Sequence, residues 1–295
     1  MKEKYWVLDC ERIEPKTRSI INDYLSSLKD QKRAAATIDK YRRIIEQFFI
    51  ETRKSSLEEL ASSDVLDWLD KYCKNRSKRT VRLYLTVLSS LFKFCLAKNH
   101  IDKILTKRRW FPEIPYSVPR HLNGAEVARL KIAAEKFSIR DRAIIAFMLS
   151  SGVRRKEASG LNIENVDLKE RVAQVKGKGD KTRIVHFSVE CALLLKRYLA
   201  KNPRDEGPMF LNRYGDRISD ARIYEIVARL KREADLPPYF CPHSLRSTFA
   251  CLMLSRGAEL GFITDELGHV NMDTTRVYAR ILTEDLISEY KQKMG

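Results

Sequence analysis

Residues 77–96 constrain this chain first: Val81, Tyr84, Leu85, Leu88, Leu91, Phe92 and Cys95 recur every three or four positions and make one apolar stripe. That is the period of an α-helix with one buried side, about 3.6 residues per turn. The stripe is a core-packing surface. The same period marks residues 19–28 (Ile20, Ile21, Tyr24, Leu25, Leu28) and residues 37–50 (Ile38, Tyr41, Ile44, Ile45, Phe48). A shorter helix is expected from Ser63, read as its N-cap, through Val65, Leu66, Trp68 and Leu69. Residues 1–99 therefore read as an all-helical domain.

The period fails between His100 and Arg120. Trp110, Phe111, Pro112, Pro115 and Pro119 are interspersed with Lys107, Arg108 and Arg109 there. Proline-rich sequence without a stripe predicts an extended linker, assigned to residues 100–118. From residue 119 to 295 the pattern is mixed. Helices are expected near residues 125–130, 139–149, 190–200, 221–233, 244–255, 260–267 and 274–279. Residues 165–167, 171–175 and 182–187 have strand character, and the last two flank Gly177-Lys178-Gly179-Asp180, a hairpin-turn sequence. The expected fold class is mainly α with a small antiparallel sheet.

The 56 Lys and Arg exceed the 39 Asp and Glu, for a net charge of +17. Such an excess favours a polyanionic partner through counterion release. Residues 1–99 alone hold 21 basic and 14 acidic side chains, so the charge is no basic tail on a neutral protein. The first turn of the helix at residue 77 gathers Arg76, Lys78, Arg79, Thr80 and Arg82 at a positive dipole end. With Lys40, Arg42 and Arg43 it forms a candidate phosphate-binding surface, from which Lys40, Arg43, Lys78, Arg79, Thr80 and Arg82 are taken as DNA contacts. The six cysteines show no C-x-x-C pair and read as reduced, packed thiols. Cys241 and His243 lack a second ligand pair, so no metal is expected. The first sixteen residues hold no apolar signal core, and no apolar run nears the length of a membrane span. A cytoplasmic protein without a membrane partner is the expectation.

Six side chains in the second half sit in contexts suited to chemistry on a phosphodiester. Pro242-His243-Ser244-Leu245-Arg246 opens a helix and places two cationic donors on one face. Leu267-Gly268-His269 puts a histidine at a glycine-permitted helix exit, and Thr274-Thr275-Arg276-Val277-Tyr278 follows. Upstream, Ser151-Gly152-Val153-Arg154 turns an arginine toward a cleft where Glu157 can orient it. Lys178 lies between two glycines at the hairpin tip. Arg154, Lys178, His243, Arg246, His269 and Tyr278 thus offer one nucleophile among cations.

The motifs S-G-V-R, G-K-G, H-S-L-R, L-G-H and T-T-R-V-Y, in this order, resemble those of the tyrosine recombinases (phage-integrase family), and the layout is most like the Xer-type members. The resemblance spans nearly the whole chain. It departs at Ser247, where the family often has His, and at Ser151, where Thr is common. The family implies a helical core-binding domain before an α+β catalytic domain. It implies that Tyr278 attacks a scissile phosphate, leaving a 3′-phosphotyrosyl link and a free 5′-hydroxyl. Arg154 and Arg246 would bind the non-bridging oxygens, Lys178 would protonate the leaving oxygen, His243 would act as base, and His269 would bond the phosphate. No cofactor is required. Two such exchanges through a Holliday junction recombine duplexes. The family does this as a tetramer, and residues 282–295 resemble the tail that docks into a neighbouring subunit. Resolution of chromosome or plasmid dimers is the expected use, alone or with a paralogous recombinase or a regulator. Phage or mobile-element integration, a type IB topoisomerase and a non-catalytic DNA-binding regulator are the competing readings.

Overall fold

The computed structural model describes residues 6–114, 119–177, 181–268, 272 and 274–278. The chain divides into two compact units, residues 1–116 and 117–295. In the first unit α1 (Pro15–Asp30), α2 (Ala35–Thr52), α3 (Ser62–Tyr72) and α4 (Lys78–Ala97) enclose one core. The helical stripes face inward: Ile21, Leu25, Ile45, Phe48, Leu85, Leu88, Leu91 and Phe92 are all fully buried. Trp68 of α3 meets Phe48 of α2 edge-on, ring centroids 5.2 Å apart, a geometry that the ring quadrupoles favour.

Three local expectations need correction. The N-cap of α3 is Ala61 and not Ser63, because the Asp64 carboxylate accepts the Ala61 backbone N–H at 2.7 Å. An acidic side chain three residues into the helix thus satisfies a donor that a capping serine would otherwise leave open. Second, α4 does have the length and apolarity of a membrane span. Its inner face is nonetheless core, and its outer end begins with exposed Lys78, Arg79 and Arg82. Third, much of the stretch expected as linker lies on the first unit: Leu105 is buried, and Ile101, Ile104, Trp110 and Phe111 pack against the helical core. Covering part of two large aromatics outweighs the extended tendency of the prolines that follow.

The second unit contains α5 (Gly124–Ala134), α6 (Ile139–Ser151), α7 (Arg155–Gly160), α8 (Val189–Lys201), α9 (Asp220–Glu233), α10 (Pro242–Ser255) and α11 (Leu260–Leu267). Between α7 and α8 runs a three-stranded antiparallel sheet in the order β1 (Val166–Asp167), β2 (Val172–Lys176), β3 (Thr182–His186). Its register pairs Val172 with His186 and Lys176 with Thr182. Ala173, Val175 and Val185 point into the core while Gln174 and Ile184 face out, the period-two alternation of a half-buried sheet. The Gly177 amide donates to the Lys181 carbonyl at 2.8 Å, so the hairpin stem closes as its sequence suggests. At the centre of the unit α6 is buried on most sides, through Ala143, Ile144, Phe147 and Met148. Residues 274–278 are helical, beginning where the Arg276 amide donates to the Met272 carbonyl at 2.9 Å.

Candidate active site

The end of α6 sets the position of the first site arginine. Gly152 caps the helix in the left-handed region, φ +62°. A Cβ there would stand 2.4 Å from Phe249 Cδ1 and 2.9 Å from Leu267 Cδ2. Only glycine satisfies both the torsion and the contact. The chain then buries Val153 and presents Arg154 as the N-cap of α7. Glu157, one turn on, accepts the Arg154 amide at 2.7 Å and its guanidinium Nη1 at 2.8 Å. Arg154 keeps 40% of its side chain exposed, so its charge is oriented but still accessible.

The Glu157 carboxylate also receives two bonds from Arg183 of β3, at 2.9 and 2.8 Å. Arg183 Nε donates in turn to the Glu266 carbonyl of α11 at 2.8 Å. The Glu266 carboxylate accepts the His186 amide at 3.0 Å and contacts its ring Nδ1. Burial alone would push the Glu157 carboxyl up. The Arg183 hydrogen bonds, the Arg154 amide and the Arg183 charge outweigh it, so its pKa lies below the usual value. Strand β3 is therefore tied to α7 and α11 by charge-assisted bonds.

Helix α10 carries the second cationic group. Pro242 occupies its first turn, and the Ser244 hydroxyl accepts the Cys241 amide at 3.2 Å. His243, Arg246 and Ser247 fall on one face at i, i+3 and i+4. Arg246 is 1% exposed. Its Nη1 donates to the Gly152 carbonyl at 2.7 Å, and its Nη2 donates to the Leu267 carbonyl. The guanidinium thus joins two helix ends that both leave through left-handed glycines, Gly152 and Gly268. Its Nε has no partner among the described residues. Burial, and then the nearby Arg154 charge, pull its pKa down to about 9. A buried cation with an open donor beside a second cation is a site that an anion would relieve.

The nucleophile candidate meets this pair. Tyr278 is 3% exposed and packs with Phe249, Ala250, Cys251, Ile263 and Leu267. Burial raises its phenol pKa, opposed by the Ser247 hydroxyl and by the charges of Arg246 and Arg154. His243 stands at the accessible mouth of the site. Partial desolvation of its ring, then Arg246 and Arg154, hold its pKa below 6.5. A neutral imidazole near neutral pH can take a proton. The sign of the pH effect follows: strand cleavage should be full above the depressed His243 pKa and fall as pH drops through it. A single-turnover pH–rate profile checks this, with the acid limb disappearing in His243→Ala.

Four of the six expected site residues therefore converge: Arg154, His243, Arg246 and Tyr278. Lys178 and His269 lie outside the described residues, as does the 279–295 tail. The expected DNA contacts belong to the first unit. Lys40, Lys78, Arg79 and Arg82 are exposed, whereas Arg43 is paired with Asp39. Thr80 is engaged at the α4 cap, its amide donating to the Ser77 hydroxyl at 3.2 Å. Two participants escape a reading by motif. Arg183 looks like a strand residue of alternating pattern, and only the pairing of β3 against α7 brings it to Glu157. Ser247 had a signal, its place one turn after His243 on the same face. Among the described residues no His, Cys, Asp and Glu cluster could hold a metal ion.

Comparison with known proteins gives a consistent picture. Residues 120–285 match the family described as "Phage integrase family", and residues 21–99 match "Phage integrase, N-terminal SAM-like domain". The chain is 32% identical over 289 residues to the tyrosine recombinase XerC of Thermodesulfovibrio yellowstonii, which covers 93% of this chain and 95% of that protein. It is 28% identical to the crystallised XerA recombinase, with a TM-score of 0.53 over 93% of this chain and 99% of that one. The XerH recombinase in a post-cleavage complex with a palindromic difH substrate shares the fold: TM-score 0.71, 21% identity, 97% of this chain and 91% of that one.

Proposed function

The chain belongs to the phage integrase family as a Xer-type tyrosine recombinase, an enzyme of DNA strand breakage and rejoining, and from that premise we propose that it exchanges strands between two copies of one duplex site to resolve chromosome or plasmid dimers. The observation that carries the chemical reading is the meeting of a buried tyrosine hydroxyl, two guanidinium groups and a histidine held neutral. In this reading the Tyr278 oxygen attacks the scissile phosphorus while its proton passes to His243. The bond from phosphorus to the 5′-oxygen breaks, and Lys178 protonates that oxygen. Arg154 and Arg246 bind the non-bridging oxygens, where charge rises in the transition state. His269 donates a further hydrogen bond to the phosphate. The phosphotyrosyl bond conserves the energy of the broken linkage until a second 5′-hydroxyl attacks, so no cofactor enters the cycle.

Four protomers on paired sites, each docking residues of its 282–295 tail on a neighbour, complete the reading, and a paralogous recombinase or a regulator could share the assembly. A cytoplasmic location beside the DNA goes with it. A supercoiled plasmid carrying two copies of the site should yield two smaller circles. Relaxation of a plasmid without the site would instead indicate a topoisomerase. The first unit's share in DNA binding rests on its exposed cations. Arg79→Glu with Arg82→Glu should weaken binding by roughly tenfold or more at low salt and flatten the salt dependence. Equal affinity of the double variant in a titration would remove α4 from the interface.

A further inference from the structure

Two consecutive carbonyls at the C-terminal end of α11 are held by two different arginines. Arg246 Nη2 donates to the Leu267 carbonyl, and Arg183 Nε donates to the Glu266 carbonyl at 2.8 Å. A helix leaves its last carbonyls without intrahelical partners, and cations suit that end of its dipole. Arg183 reaches there from β3 with its stem laid against Gly268, where a Cβ would stand 2.9 Å from Arg183 Cδ. Its two Nη atoms meet the two oxygens of Glu157, at 2.9 and 2.8 Å. Glu157 in turn holds the amide and Nη1 of Arg154. A path of hydrogen bonds thus runs from Arg154 through Glu157 and Arg183 to the end of α11. One peptide unit further on, Arg246 is attached.

We infer that Arg183 is a positioning residue that fixes Arg154 and Arg246 relative to each other. This rests on the reading of those two guanidinium groups as the pair that binds the non-bridging oxygens. Two cations that must converge on one phosphate repel each other before DNA arrives. Their separation is therefore set by the framework around them. Arg154 is oriented by Glu157, and only as firmly as Glu157 is itself held. The Glu157 side chain is 2% exposed, so little water reaches it. The planar fork of Arg183 fixes both carboxylate oxygens in one plane, and its third bond ties that plane to α11. Arg183 is 13% exposed, and three of its five N–H groups are committed to these acceptors. It acts on the phosphate through its neighbours. A misplacement of about 1 Å in a charged site can cost on the order of a hundredfold in rate.

Single-turnover cleavage of nicked suicide duplexes by the full chain tests this on two substrates. One has an ordinary scissile phosphate; in the other, a methylphosphonate, a methyl group replaces one charged non-bridging oxygen. Arg183→Gln should bind the duplex as wild type does and cleave the phosphate about a hundredfold more slowly. Arg183→Lys keeps a charge for Glu157 but lacks the fork that also reaches the Glu266 carbonyl, and should fall about tenfold short of wild type. Both losses should largely disappear on the methylphosphonate, where little charge remains for a well-placed pair of arginines to stabilise. Denaturant unfolding reports whether each variant folds, and the lysine variant decides alone if the glutamine variant does not. Wild-type cleavage of the phosphate by the lysine variant would overturn the inference. So would losses of equal size on both substrates, the signature of a role confined to folding. Arg154→Ala, measured alongside, checks the premise. An equal loss on both substrates in that variant would instead remove the phosphate-binding reading of Arg154 itself.

Discussion

Arg246→Ala should lower strand cleavage about a hundred- to a thousandfold, the effect of removing one preorganised donor from a charged transition state. It should also destabilise the fold. The guanidinium is 1% exposed and satisfies the Gly152 and Leu267 carbonyls. Truncation leaves both acceptors buried without a partner, at about 1–3 kcal/mol each. Those carbonyls lie at the ends of α6 and α11, so the same loss loosens the turn that delivers Arg154. Arg246→Lys separates the two effects. An ammonium retains the charge but lacks the planar fork that spans two carbonyls. It should keep part of the phosphate affinity and little of the stability. Denaturant unfolding and single-turnover cleavage, measured on both variants, check this. An alanine variant within tenfold of wild type in rate and unchanged in stability would contradict the assigned position of Arg246.

Glu157→Ala should be nearly as damaging, through a residue that need not touch DNA. Its carboxylate is the common acceptor for Arg154 and Arg183, and its side chain is 2% exposed. Removing one partner from a buried ionic cluster costs about 3–5 kcal/mol. Arg183 is left mostly buried without its carboxylate, while Arg154 loses the brace that aims it. The pH sign is set by the depressed Glu157 pKa. The folded state holds the ionised form better than the unfolded one, so this stability is present above the ordinary value of 4.5. It is lost as pH falls through the lower folded-state value. Acid unfolding of Glu157→Gln should therefore begin from a less stable protein and depend less steeply on pH in that window. Equal stability of wild type and variant above pH 4.5 would show that the cluster carries no net stability.

The helical stripes were legible because burial on one side of a helix writes itself into every third or fourth residue. The strands of the hairpin were legible because Ala173, Val175 and Val185 alternate with exposed neighbours. The glycine at 152 announced a turn before any coordinate, and its left-handed torsion explains why. What the sequence left out depends on contacts between distant segments. Nothing near Arg246 in the chain says that its guanidinium is buried against carbonyls 94 and 21 residues away. A motif reading treats that arginine as an open phosphate clamp, while the structure makes it a brace with one nitrogen left over. Arg183 is silent for the same reason, since its partners Glu157 and Glu266 lie 26 and 83 residues off. The stretch around Trp110 misled in the other direction. Prolines govern local torsions, but its aromatic side chains found a core to cover.

The most direct test of the account is covalent trapping at Tyr278. Labelled duplexes selected for tight binding, nicked near their centre so that cleavage becomes irreversible, are incubated with the full chain and then denatured. The account predicts a denaturation-resistant protein–DNA adduct through a 3′-phosphate, with a free 5′-hydroxyl on the other side of the break. Tyr278→Phe should bind the same duplexes with similar affinity and form no adduct. An adduct that survives the Phe substitution would place the nucleophile elsewhere. Tight binding with no adduct from the wild-type chain on any duplex would contradict the strand-cleaving site itself.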